Sequence, residues 1–124
     1  MLKHLFRPAN IGSIEISNRI VMLAMHLAFA TEDGFSTDRL KNFYIERAKG
    51  GAVLLTIGMA YVDQAGKGQG LSLDIYDDKY IPGLKEVAEA CKVYGSRVFL
   101  QLSHQGATAL PKLTGQRMAD LCAY

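Results

Sequence analysis

The sequence predicts an α/β fold built on a parallel sheet, and three observations carry the prediction. Apolar runs of strand length occur at residues 19–25 (RIVMLAM), 52–57 (AVLLTI) and 97–102 (RVFLQL). Stretches whose apolar residues recur every three or four positions separate them. Glycines close those stretches, so the order reads β, α, β, α, β, the grammar of right-handed βαβ units in an α/β layer or barrel.

Before the first run, Ile11, Ile14 and Ile16 flank Gly12-Ser13, which predicts a short hairpin turning at that dipeptide. Residues 19–25 follow Asn18 with almost no polar interruption, as expected for a strand buried on both faces. From Thr37 the period becomes helical through Leu40, Phe43, Tyr44 and Ala48. Asp38 complements the helix dipole at its start, and Gly50-Gly51 stop the helix. After the second strand comes a loop with Gly66, Gly68 and Gly70, read as flexible. Its spacing matches neither a Walker loop nor GxGxxG. The second helix presents Ile81, Leu84, Val87, Ala88, Cys91 and Tyr94 as one apolar face, with Pro82 in the first turn and Gly95 at the end. Residues 107–124 read as a loop and a stub ending in MADLCAY.

Composition narrows the function classes. With 14 Lys and Arg against 12 Asp and Glu, the net charge is +2, and the cations are scattered singly, which disfavours nucleic acid as a partner. Hydrophobic residues at 49% and charged residues at 21% suit a globular core. Cys91 and Cys122 have no paired spacing, so neither a zinc site nor a disulfide is signalled. No apolar run reaches the length of a signal segment or a membrane helix, which predicts a soluble, cytoplasmic chain.

In a parallel α/β fold, ligands collect at the C-terminal ends of strands. His26 follows the first run and His104 the third. For either one alone, an ordinary surface or hydrogen-bonded imidazole is the plainer reading; two at corresponding strand ends favour a site. Gln101 ends a strand as apolar as Val98-Phe99-Leu100, and its amide needs partners for two donors and an acceptor. It suits a heterocycle with alternating donors and acceptors, or it is simply exposed. Gly58 permits either a bend or the close approach of a flat ligand. Asp74, Asp77 and Asp78 lie near the second helix start, where carboxylates favour the helix dipole. No metal site is assigned.

LFRP at 5–8, NRIVMLAMH at 18–26, the Asp33-Gly34 turn, FYIERAKGG at 43–51 and QLSHQG at 101–106 together resemble the Old Yellow Enzyme family, in its order and spacing. Met25-His26 and the D-x-x-G-x-G loop at 63–68 are most similar to its 2,4-dienoyl-CoA reductase branch. The resemblance spans residues 5–106. It implies the N-terminal portion of a (β/α)8 TIM barrel, about three βα units plus the initial hairpin, with FMN as cofactor and NADH or NADPH as reductant. It places Leu23, Ala24, Met25 and His26 beside the isoalloxazine, Gly58 at the second strand, and Gln101 on the flavin's pyrimidine edge, where a buried amide finds complementary groups. His104 stands behind them.

The implied activity is hydride transfer through FMN to an activated alkene, such as an enoate, enone or dienoyl thioester. Ala28 and Ala107 stand where several members carry tyrosine and arginine, which bears on substrate preference. A complete barrel takes roughly 250 residues. The proton donor, the phosphate-binding loops and the cysteines of any 4Fe-4S cluster in a full-length parent belong to later segments. The expectation is therefore an incomplete FMN-binding domain over 1–124, inactive by itself and prone to self-association. The competing expectation is a non-catalytic α/β scaffold or interaction domain that self-associates and binds no flavin.

Overall fold

The computed structural model describes residues 3–115. An antiparallel hairpin, β1 (Ala9–Ile11) and β2 (Ile14–Ile16), pairs Ile11 with Ile14. Its turn is made at Gly12-Ser13, where Gly12 takes φ +59. Then follow β3 (Val21–Met22), α1 (Asp38–Lys49), β4 (Leu54–Tyr61), β5 (Leu73–Asp74), α2 (Ile81–Lys92), β6 (Arg97–Ser103) and a last turn of helix, α3 (Pro111–Thr114). All sheet pairings beyond the hairpin are parallel. β4 is central, with β6 along one side. On the other side β3 pairs with its beginning and β5 with its end. The hairpin, the three parallel strands β3, β4 and β6 and the two helices follow the predicted α/β grammar, and the short parallel strand β5, within what was read as a loop, is added to it.

Helix α1 starts where predicted because Thr37 caps it. Its Oγ1 accepts from the Leu40 N–H at 3.2 Å and donates to the Phe29 carbonyl at 2.5 Å. Leu40, Tyr44 and Ala48 are buried, joined in one core by Leu55, Ile57 and Ala60 of β4 and by Val87 and Cys91 of α2. Lys41 joins the helices at their exposed rim, bonding Glu86 at 2.6 Å and Asp38 at 2.8 Å. A second small cluster, Ile16 with Val53 and Leu54, seats the hairpin under the sheet.

Several expectations are corrected. The strand expected over residues 19–25 is reduced to Val21–Met22 and is not buried on both faces: Leu23 is 73% and Met25 48% exposed. The place beside the end of β4 is taken by β5, so the chain leaves the sheet after Met22. Helices cover one face of the sheet; among the described residues no layer covers the other. The second strand begins at Leu54 and runs on through Gly58 to Tyr61. Helix α2 ends at Lys92, before Tyr94; of the expected face only Val87 and Cys91 are buried, while Ile81 and Tyr94 are about half exposed. β6 pairs on one side only, leaving Phe99 and Leu102 exposed. The segment after 106 holds a 3-10 turn (Gly106–Thr108) and α3; the 118–124 stub and Cys122 lie outside the described residues.

Candidate functional site

Gly58 and Gln101, singled out separately from their strand ends, meet across the β4–β6 ladder. Ile57 pairs with Leu100 and Ala60 with Leu102, so Gly58 and Met59 together face the single residue Gln101. This is a bulge, a device that re-aims a side chain. A β-carbon on Gly58 would lie 2.8 Å from Gln101 Cβ, closer than such atoms come, and Gly58 holds φ +157. Only glycine fits. Gln101 is exposed rather than buried. Along β6 it belongs with exposed Phe99, whereas Val98 and Leu100 pack against the core on the helix side. Its amide therefore opens onto the uncovered face of the sheet.

Residues 23–26 pass beyond the end of β3. Leu23 and Met25 alternate with half-buried Ala24. His26 is exposed and its Nε2 donates to the Gly70 carbonyl at 3.1 Å. His26, Ala28, Gly58, Met59 and Leu71 line one shared crevice at the strand ends. Ala28 and Leu71 are the described non-glycine residues with positive φ, at +52 and +53. Such backbone collects at functional sites.

The glycine loop is packed rather than free. A β-carbon on Gly66 would sit 2.6 Å from the His104 ring, and one on Gly68 2.6 Å from Gln105 Cγ. Both glycines let the chain after β6 lie directly on this loop. His104 Nδ1 accepts from the Gly106 N–H at 3.0 Å, and its ring lies against Gly66.

The residues that sequence reading missed are Lys67 and Asp74. Their ion pair, Nζ to Oδ2 at 2.5 Å, has the Asp74 side chain wholly buried. Asp74 thus leaves the acidic cluster expected at the helix start; of that cluster, Asp77 caps a 3-10 turn by accepting from the Lys79 N–H at 3.0 Å. The available signal was Asp74 between Leu73 and Ile75, a carboxylate in an apolar alternation. Burial, a hydrogen bond with Tyr80 and the nearby Asp74 carboxylate together hold the Tyr76 phenol well above its ordinary range. Burial likewise raises Tyr44, against the nearby Gly58 backbone, and raises the Cys91 thiol.

Leu23 and Met25 are exposed beyond β3, and the Gln101 amide stands on the open face of β6 beside Gly58. The fold therefore defines a class: a parallel α/β segment in which residues 23–26, Gly58 and Gln101 lie toward the C-terminal half of the strands. A family profile described as the NADH:flavin oxidoreductase / NADH oxidase family matches residues 4–122. The chain belongs to that family, which includes the Old Yellow Enzymes, and forms part of its TIM barrel. It is 42% identical over 112 residues to a metal reductase of Desulforamulus reducens, covering 90% of this chain and 16% of that protein. It is 40% identical to the NADH oxidase of Thermoanaerobacter brockii, covering 90% and 17%. Among solved structures it superposes on the Old Yellow Enzyme from Pichia sp. AKU4542 with TM-score 0.85 and 28% identity, covering 90% of this chain and 29% of that one. A 2-naphthoyl-CoA reductase matches at TM-score 0.88 and 28% identity, covering 94% and 18%. The chain thus spans about a sixth of the length of these curated relatives. Among the described residues no helix is long and apolar enough to cross a membrane.

Proposed function

We propose that this chain supplies the flavin-facing part of an FMN-dependent NAD(P)H oxidoreductase acting on activated alkenes: enoates, enones or dienoyl thioesters. The observation that carries the reading is the bulge at Gly58-Met59, which presents the Gln101 amide beside a glycine that no other residue could replace. Gln101 offers a donor and an acceptor to the pyrimidine edge of the ring. Leu23, Ala24 and Met25 give it an apolar wall, and His26 closes the segment with its ring held by Gly70. When bound, FMN supplies hydride transfer between the nicotinamide and the substrate; the protein's part is to hold and orient it.

Domain 1–124 is, in this reading, an incomplete barrel, with about three of its eight βα units. The exposed edge of β6, with Phe99 and Leu102, supports self-association of the chain as it stands. A fluorescence titration with FMN tests the reading. Saturable binding that weakens about tenfold in Gln101→Leu is expected, the cost of losing one or two hydrogen bonds. Wild-type chain that leaves FMN fluorescence unchanged sinks it, and steady NADH oxidation by the FMN-loaded chain would overturn the claim of incompleteness.

A further inference from the structure

The loop joining β4 to β5 is closed at its base by a buried ion pair. Lys67 Nζ meets Asp74 Oδ2 at 2.5 Å, with the side chains 11% and 0% exposed. Asp74 is fixed from behind: its N–H donates to the Gly34 carbonyl at 3.0 Å, and a β-carbon on Gly34 would fall on the carboxylate. The Tyr80 hydroxyl stands 3.5 Å from the same oxygen and 3.1 Å from the Tyr76 hydroxyl. Tyr76 in turn donates to Gln64 Oε1 at 2.7 Å.

Desolvating two charges costs about as much as their attraction returns, so such a pair is a weak source of stability. Geometry is what it supplies. Between Lys67 and Asp74 the loop presents its carbonyls to both neighbouring segments. Gly70 accepts from His26 Nε2 at 3.1 Å and Leu71 from the Ala30 N–H at 3.1 Å. At the loop's base Gly66 accepts from the Gln105 N–H at 3.0 Å and Lys67 from the Leu110 N–H at 2.8 Å. Leu71 is held at φ +53, where leucine rarely rests, as a loop pinned from several sides allows.

We infer that Lys67 and Asp74 are a positioning pair: by closing the 68–73 loop they aim the Gly70 carbonyl at His26 and so set the ring that borders the ligand along residues 23–26. The identity of that ligand as a flavin rests on the function proposed above; the clamp itself rests on the hydrogen bonds.

The test uses the full 124-residue chain labelled with nitrogen-15. Lys67→Met/Asp74→Asn removes both charges without stranding either, and Lys67→Arg keeps the pair. Amide exchange is read at Ala30, Gln105 and Leu110, with Val53 and Arg97 as sheet controls, and the His26 ring nitrogens report its tautomer. In the wild type His26 carries its proton on Nε2. In the double variant, protection at the three loop-linked amides falls about tenfold or more, the controls stay within about twofold, and His26 becomes a tautomer mixture. Lys67→Arg keeps the wild-type pattern. A mixed tautomer already in the wild type overturns the proposal, as does a double variant with unchanged His26 and loop amides. Equal loss at Val53 and Arg97 also overturns it, because the pair would then be holding the whole fold. FMN titration of the same samples is independent: a wild type that binds no FMN removes the flavin reading and leaves the clamp result standing.

Discussion

At Gly58 a single added methyl collides with Gln101 Cβ at 2.8 Å. Gly58→Ala must therefore push β6 outward or turn Gln101 away from the open face. The expected outcome is a loss of about 1–3 kcal/mol in stability by urea unfolding together with FMN binding weakened at least as far as in Gln101→Leu. Unaltered FMN binding in this variant would show that the bulge does not set the amide. Both residues were legible in the sequence, because a glycine and an amide at the ends of apolar strands each stand out. That they touch was not legible, since the register shift between Ile57 and Ala60 leaves no mark in either strand alone. Lys67 and Asp74 were less visible still. Nothing in a glycine-rich loop announces that its lysine turns inward to a carboxylate seven positions on.

Helices and strands differed in how far they could be read. α1 was readable to its cap because capping is local: Thr37, Asp38 and Leu40 lie within one turn. Thr37→Ala removes the Oγ1 bond from Leu40 and the one to Phe29 together. A cost of about 1–2 kcal/mol is expected in thermal or urea unfolding, with the helix shortened at its start. A change under a few tenths would mean that the backbone of residues 37–40 holds the turn without the hydroxyl. By contrast, residues 19–25 are as apolar as β4 but form only two residues of ladder. Apolarity says that a segment prefers burial, and only its neighbours decide whether burial is available. Ile81 on α2 and Tyr94 just past its end make the same point, matching the helical period while remaining about half exposed.

For the molecule as a whole, the buried acids predict how stability responds to alkali. Burial raises the folded-state values of Cys91 and Tyr44 above their ordinary 9.0 and 10.0. The folded state therefore keeps protons that the unfolded chain gives up. Their contribution is fully present below pH about 9 and is lost as pH rises through the raised values. Urea midpoints should stay level from pH 7 to about 8.5 and fall beyond 9, with Cys91→Ala/Tyr44→Phe flattening the decline. A midpoint that rises above pH 9 would contradict the burial of both groups.

By itself, the sequence determined the order of the main strands and helices apart from β5 and α3, the α/β class, the start of α1 and the family. Each depends on local spacing or on motifs contiguous in the chain. The tertiary structure alone decided that Gly58 faces Gln101, that Gly70 holds His26, and that Lys67 and Asp74 close the loop between β4 and β5. Those contacts join residues by register and by backbone approach, and a side chain's partner across a sheet or a loop is fixed only when the strands have paired.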